Sequence, residues 1–342
     1  MSKKTTIYDI AKELNITAAT VSRALNDNPR ISKKTRDLVI TTAARLNYKQ
    51  NRLALALKSG KSKNVGVVVP FINRNFFSSV IRGIEDELYP KGYHVIISQT
   101  HEDRDRELKI IQNLLDAQVE GILISTCFSN NERGNLEPLL KKSTPFIFFD
   151  RSLSFANISS ATIDDYQGGY DATKHLIDQG CQRIAHFYVD QQIELYKNRL
   201  QGYKDALSNN GIDINEEYII ALKSDVEAGK EAAEKLMKLA VPPDAIFSST
   251  DYALLGAIKH LQTLSIKIPD DFCVVGFSNE SFTQYLEPSI SSVDQSPVEM
   301  GKMAAKVFLE QMVSGESGKP PKNVVLPAKL IIRKSSTKLQ QE

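Results

Sequence analysis

The sequence predicts two parts of different class: a small all-α helix-turn-helix head, then an α/β body of two Rossmann-like lobes. Three observations predict this. Residues 6–46 carry apolar side chains at helical spacing, punctuated by capping and turn residues. From residue 64 the pattern changes to short apolar runs alternating with amphipathic stretches, and that alternation occurs twice over. Charge divides at the same place: residues 1–62 hold 13 Lys or Arg against 4 Asp or Glu, whereas the remainder holds 30 against 37.

The head follows from local chemistry. Thr6 caps a first helix, with Asp9 at its positive end. Ile7, Ile10, Ala11 and Leu14 form its inner face. Asn15 tolerates the left-handed backbone that ends a helix, and Ile16 fills the turn. Thr17 caps a second helix with Val21, Ala24 and Leu25 as its buried stripe, leaving Ala18, Ala19, Ser22 and Arg23 on the opposite face. Ser32 caps a third, whose Val39, Ala43 and Leu46 pack back on the first two.

In a helix-turn-helix the second helix enters the DNA major groove with its N-terminal residues at base edges. Thr17, Ala18, Ala19 and Arg23 are therefore the candidate base contacts. Arg23 can donate two hydrogen bonds to guanine O6 and N7, while the alanines offer methyl contacts, for instance to thymine. Thr6, Tyr8, Ser22, Asn26, Ser32, Thr35 and Arg36 are placed to hold phosphates, which positions the helix without reading sequence. A basic head on an acidic body is the charge footprint of a DNA-binding arm on a soluble sensor. Charge alone fits an RNA-binding or membrane-surface head equally; the helix-turn-helix pattern selects DNA.

Thr20-Val-Ser-Arg23, Leu46-Asn-Tyr48 and Asn51-Arg-Leu-Ala-Leu-Ala-Leu57 carry a resemblance. The segment from Thr6 to Leu57 closely resembles the DNA-binding and hinge region of the LacI/GalR repressor family, and the likeness continues to about Arg333. It implies a helix-turn-helix domain over 1–50 and a hinge helix and linker over 51–63, with Asn51, Ala54 and Leu57 as further DNA contacts. Leu57 would be the hinge leucine, which pairs across a dimer and wedges into the minor groove. An apolar wedge partly unstacks a base step and bends the duplex. The alternative for Leu57 is an ordinary core leucine between domains.

In the body, Asn64–Pro70 reads as a parallel strand buried on both faces. A helix from about Ser78 to Tyr89, a strand over His94–Ser98, a helix near 103–117, a strand over 121–124, a helix near 136–141 and a strand over 145–149 follow. The second round has helices near 168–179, 198–208, 228–239 and 253–263 between strands at 183–188, 218–222, 245–247 and 272–277. A long helix fits 297–313, and two last strands fit 323–326 and 328–332. Two such lobes aim their strand ends into a shared cleft, where open α/β sheets bind ligands.

The resemblance implies a periplasmic-binding-protein-like (type I) body over 64–333, responsible for effector binding and dimerisation, and a polar tail over 334–342. One lobe covers about 64–161 plus 295–320 and the other about 162–291 plus 321–333, with crossovers near 161–166, 291–295 and 319–327. Phe76 and Phe77 start a helix after the first body strand, where aromatic faces can stack on a sugar or base; ordinary core is the rival reading for one of them. Asp150 and Arg151, Thr250 and Asp251, and Ser278 end strands, and Gln295 lies at a crossover. Arg199 falls where the family has its effector-binding arginine, a fork of N–H donors suited to vicinal hydroxyls or a carboxylate. Many members place Asp where this chain has Ser278 and Asn or Asp at Thr250, and the aromatic some stack on the ligand falls near Ser224 or Asp225. The expected effector is therefore a sugar, a sugar acid or a sugar phosphate.

Several classes are excluded on the residues. No GxGxxG follows the first body strand, and there is neither a P-loop nor a GxSxG elbow, so no cofactor and no enzymatic activity are expected. The five histidines show no metal-ligand spacing, so no metal is expected. The Glu102–Glu107 tract reads as a solvated helix face. Cys127, Cys181 and Cys273 read as small core residues in a reducing compartment. No apolar run approaches a membrane span, and the N-terminus lacks a signal-peptide pattern, so a cytoplasmic, nucleoid-associated protein with no membrane partner is expected. The tail after Arg333 has no apolar heptads, which favours a homodimer over a coiled-coil tetramer. The expected function is a ligand-responsive repressor on palindromic double-stranded operator DNA. A transcriptional activator of the same fold, or a solute-binding module with no direct DNA role, are the alternatives.

Overall fold

The computed structural model describes residues 5–49, 62–140, 144–189, 191–313 and 320–338. The chain divides into two compact units, Met1–Ser62 and Lys63–Glu342.

The first unit is three helices, α1 (Ile7–Leu14), α2 (Ala18–Leu25) and α3 (Lys33–Arg45). Its core is Ile10, Ala11, Val21, Ala24, Val39 and Ala43. The Asp9 carboxylate accepts hydrogen bonds from the Thr6 N–H (2.8 Å) and hydroxyl (2.7 Å), tying the first turn of α1 to its cap. Asn15 ends α1 at φ 52°, ψ 40°. The Thr17 hydroxyl accepts from Thr20 N–H at 3.1 Å, and the Ser32 hydroxyl from Thr35 N–H at 3.2 Å, so both following helices start on a side-chain cap.

The second unit contains two six-stranded sheets. The first uses β1 (Asn64–Val69), β2 (His94–Gln99), β3 (Gly121–Ile124), β4 (Phe146–Phe149), β5 (Ser159–Ile163) and β11 (Asn323–Leu326), in the order β11-β5-β4-β3-β1-β2, all parallel. The second uses β6 (Ile184–Val189), β7 (Ile219–Leu222), β8 (Ala245–Ser248), β9 (Cys273–Phe277), β10 (Ser291–Asp294) and β12 (Lys329–Ile331), in the order β12-β10-β9-β8-β6-β7, with only β12 antiparallel. Helices α4 (Asn75–Leu88), α5 (Arg104–Asp116) and α6 (Glu137–Leu140) belong to the first lobe; α7 (Asp165–Asp178), α8 (Glu194–Asn209), α9 (Val226–Met237) and α10 (Asp251–Thr263) belong to the second. Helix α11 (Pro297–Val313) returns to the first lobe and packs on α4, β4 and β5.

The helices pair through glycines. A Cβ on Gly83 of α4 would lie 2.1 Å from the Val298 carbonyl, and one on Gly301 of α11 would lie 2.1 Å from the Val80 carbonyl. Gly169 and Gly202 bring α7 and α8 together in the same reciprocal way, and Gly229 and Gly256 do so for α9 and α10. The close approach buries the flanking apolar faces against the sheets.

The lobe boundaries differ from the sequence expectation in two respects. Strand β5 continues the first sheet to Ile163, so a boundary at 161 cuts through it, and β11 pairs with β5 (Leu326 opposite Ile163), so the segment 321–333 does not belong wholly to the second lobe. The chain crosses between Ile163 and Asp165, between Asp294 and Pro297, and between Leu326 and Lys329. Strands β5 and β10 were not anticipated: Ser-Ser-Ala-Thr-Ile and Ser-Ser-Val-Asp are too polar to stand out as strands, yet β5 alternates buried and half-buried positions. Cys127, Cys181 and Cys273 are buried free thiols.

Candidate functional site

Each unit presents a site. In the head, Ala19 and Arg23 stand exposed on α2. Thr17 is also exposed, its hydroxyl shared with the Thr20 hydroxyl at 2.9 Å. Ala18 is half-buried and packs on the head core, so it does not stand wholly on the outer face. Tyr8 is 71% exposed and free to reach outward. Ser22 is half-buried, and the Asn26 amide donates to the Ser22 carbonyl at 2.7 Å. Ser32 and Thr35 share a hydroxyl hydrogen bond at 2.9 Å.

Arg36 is engaged within the head: its guanidinium pairs with Asp27 and donates to the Asn28 carbonyl at 3.2 Å, which ties down the α2–α3 loop. Asn51, Ala54 and Leu57 lie outside the described residues.

In the body, a cavity of about 700 Å³ opens where the carboxyl ends of both sheets meet. The first lobe supplies Phe76 and Phe77 from the start of α4, and Asp150 and Arg151 from the end of β4. The second supplies Arg199 from α8, Ser224 after β7, Thr250 and Asp251 between β8 and α10, and Ser278 after β9; Gln295 comes from a crossover. All ten residues singled out in the sequence thus surround one space. Phe76 and Phe77 meet edge to face at 5.0 Å and are both core residues as well.

The cavity rim is built on backbone that few residues adopt. Glu102 (φ 60°), Asp150 (φ 58°) and Ser278 (φ 108°) are all left-handed and all follow strand ends; Ser296 (φ 48°), beside the lining Gln295, is left-handed too. Non-glycine residues hold such conformations only when their surroundings fix them, and they gather at ligand sites.

The buried charges are mostly held by the protein. Arg199 donates to Asp165 Oδ1 from Nε (2.8 Å) and to the Ser249 carbonyl from Nη1 (3.0 Å), and its guanidinium lies 3.6 Å over the Phe277 ring. Burial pushes Asp165 up to about 6, although Arg199 opposes the shift. Asp150 accepts from the Ser125 hydroxyl at 2.9 Å, and burial raises it as well. Asp251 is fully buried and accepts from Glu280 N–H and the Ser292 hydroxyl, both at 2.8 Å. Burial pushes it up to about 7. Both its oxygens therefore accept hydrogen bonds within the protein, and the residue also lines the cavity. Thr250 likewise uses its hydroxyl to cap α10.

Sequence reasoning missed further lining residues: Phe71, Arg74, Glu102, Gln191, Tyr196, Tyr252 and Glu280. Phe71, Arg74, Glu102 and Gln191 sit in loops just past β1, β2 and β6, so the strand-end rule would have found them. Arg74 donates to the Ser224 carbonyl at 3.0 Å and lies 3.7 Å over the Tyr252 ring, reaching from the first lobe to the second. Glu280 returns the contact, hydrogen-bonding the backbone N–H groups of Asn75 and Phe76 at the start of α4. The Glu102–Glu107 tract is a solvated face only in its middle: residues 103–106 are exposed, but Glu102 takes hydrogen bonds in the cleft, and fully buried Glu107 accepts from Cys127 N–H at 2.8 Å.

A head of this form, carried on a two-lobed body with its cavity at the strand ends, is matched throughout by known proteins. Residues 6–51 match the family described as bacterial regulatory proteins, lacI family, and residues 173–336 match the periplasmic binding protein-like domain. The chain is 34% identical to catabolite control protein A of Priestia megaterium, over 90% of this chain and 92% of that one. The chain belongs to the lacI family. It is also 31% identical to the HTH-type transcriptional repressor CytR of Escherichia coli, over 98% of this chain and 97% of that one. Among solved structures, the lac repressor dimer bound to operator and the anti-inducer ONPF shares its fold, with a TM-score of 0.88, 24% identity and coverage of 98% and 100%. A LacI family regulator from Enterococcus faecium with bound ribose aligns at a TM-score of 0.71 and 27% identity, covering 81% of this chain and all of that one.

Proposed function

We propose that this lacI-family protein is a ligand-responsive repressor that binds a near-palindromic operator as a dimer under the control of a small molecule of the sugar class. The observation that carries the reading is the presence, in one chain, of an exposed second helix with Arg23 on its outer face and a two-lobed body enclosing a cavity. Arg23, with the exposed Thr17 and Ala19, reads base edges, and Tyr8, Thr6, Ser22, Asn26, Ser32 and Thr35 position the helix on the backbone. Residues 51–63 couple the two functions, with Leu57 as the wedge and Asn51 and Ala54 beside it. Lobe closure sets whether two such segments can pair, so effector and operator bias one equilibrium and their coupling is reciprocal.

The cavity binds its small molecule and does not transform it. The buried carboxylates in and beneath it serve as acceptors for protein donors: Asp251 for Glu280 and Ser292, Asp150 for Ser125, and, beneath the lining, Asp165 for Arg199. Phe76, Phe77 and Tyr252 provide apolar faces, and Arg151, Arg199, Ser224, Thr250, Ser278 and Gln295 provide polar groups around them. The four lining cations Arg74, Arg151, Arg199 and Lys223 are outnumbered by the five carboxyl groups of Glu102, Asp150, Asp225, Asp251 and Glu280, which favours an uncharged polyhydroxyl compound over a sugar acid or a sugar phosphate. Ribose bound in the Enterococcus faecium relative fits that class. DNA as the partner places the protein in the cytoplasm with the genome.

A genome-wide footprint of the full-length protein tests the reading. It should return few sites, each near-palindromic and beside a promoter. Binding spread without sequence preference, or none, would remove it.

A further inference from the structure

Three buried polar atoms of cavity-lining residues have no partner among the described residues, Arg74 Nη1, Arg151 Nη1 and Gln191 Oε1, and the last two come from opposite lobes and share one neighbour. Arg151 is 5% exposed; its Nη2 donates to Glu102 Oε1 at 2.9 Å, while its Nη1 is buried and unpartnered. Gln191, after β6 of the second lobe, donates from Nε2 to Glu102 Oε2 at 2.6 Å, while its Oε1 is buried and unpartnered. One carboxylate therefore holds both side chains by one arm each and leaves each with one free arm. The amide orientation of Gln191 is fixed by this bond, because a carboxylate accepts and only the NH₂ end can donate to it.

The free arms are one donor and one acceptor. A buried polar atom without a partner is destabilising, so the pair is a standing demand for a group that both accepts and donates. A hydroxyl is such a group. A carboxylate or phosphate would satisfy Arg151 but set its lone pairs against Gln191 Oε1, and the Glu102 charge already offsets that of Arg151. Because Gln191 rides on the second lobe and Arg151 and Glu102 on the first, the pair exists only while the lobes are closed. Glu102 is itself set in place by its left-handed backbone, adjacent to a second left-handed residue, His101 (φ 56°).

We propose that Glu102 is a positioning residue: it builds a hydroxyl-reading pair across the cleft from Arg151 and Gln191, and so links recognition of one ligand hydroxyl to lobe closure. This rests on reading the cavity as an effector site, but its test needs neither effector nor DNA.

Spin labels on the exposed Lys109→Cys (α5) and Lys235→Cys (α9) report the lobe-to-lobe distance in the full-length, unliganded protein; the native thiols are buried. Glu102→Ala should add a longer distance population. Gln191→Ala, which leaves Arg151 paired and guards against a folding defect, should add the same one, and the double variant should go no further than either. A crystal structure of the unliganded protein should show one water within hydrogen-bond reach of both Arg151 Nη1 and Gln191 Oε1, standing in for the hydroxyl. Parental distances in both single variants would overturn the link to closure. The two atoms turned apart with no shared water, or an anion seated on Arg151 in its place, would overturn the hydroxyl assignment.

Discussion

Arg199 meets a single oxygen of Asp165, Oδ1, through two of its nitrogens, Nε at 2.8 Å and Nη2 at 2.7 Å. The pair joins α8 to the start of α7 beneath the cavity, and the Phe277 ring closes the other side of the guanidinium. Removing one partner of such a buried pair strands the other. Arg199→Ala is expected to lower stability by about 3 kcal/mol, whereas the double change Arg199→Met with Asp165→Leu should recover most of that loss. Urea unfolding of the three proteins checks both outcomes.

The reading head gives a different signature. Arg23 is exposed on α2, so Arg23→Ala should leave thermal unfolding unchanged. Its loss from a bidentate base contact should weaken binding by about 2 kcal/mol, on the order of 30-fold, and relax preference at one position of each half-site. Sites selected from randomised duplexes and then compared by gel shift supply the measurement.

Packing of α9 on α10 makes a third case. A Cβ on Gly229 would stand 1.8 Å from the Ala253 carbonyl oxygen, which is backbone and cannot move alone. Gly229→Ala should cost about 2–3 kcal/mol through separation of the two helices. Gly134, around which a Cβ meets nothing within 4 Å, is the control, and its alanine variant should unfold with the parent.

Asp251 makes stability depend on pH. Its folded-state value, about 7, lies above the ordinary aspartate value of 3.8. Between these limits the unfolded chain releases a proton that the folded chain keeps, so this group's contribution is complete below about 3.8 and is lost as pH rises to about 7. Asp251→Asn cannot titrate and should flatten the melting temperature across that window. An unchanged slope from pH 4 to 7 would assign the effect to other groups.

Much of this architecture was legible in the residues because its signals are local. Thr6, Thr17 and Ser32 announce the head helices, and the apolar runs at Val65–Val69 and Phe146–Phe149 announce buried strands. Strand ends also pointed to Asp150, Thr250 and Ser278 around the cavity. What stayed hidden depends on pairing across the chain. Ser159–Ile163 becomes a strand because Phe146–Phe149 and Asn323–Leu326 flank it, and no window of sequence holds all three. Glu102 looks like one more acidic residue before a charged helix until Arg151 and Gln191, 49 and 89 residues away, arrive on either side. Arg36 is a like case: its charge suggested an outward role, and its hold on the Asp27–Ile31 loop shows only in the fold.

The three crossings of the chain between the lobes have a mechanical consequence. One thread between two bodies is a ball joint, and two define an axle about which the bodies could still slide. Three short crossings, at Ile163–Asp165, Asp294–Pro297 and Leu326–Lys329, leave little besides a single rotation that opens or shuts the far edge. With helices locked pairwise by glycine, neither lobe can absorb that rotation internally. A molecule seated in the cavity therefore pulls on a lever with one degree of freedom, and whatever is attached to the lobes is driven along one path.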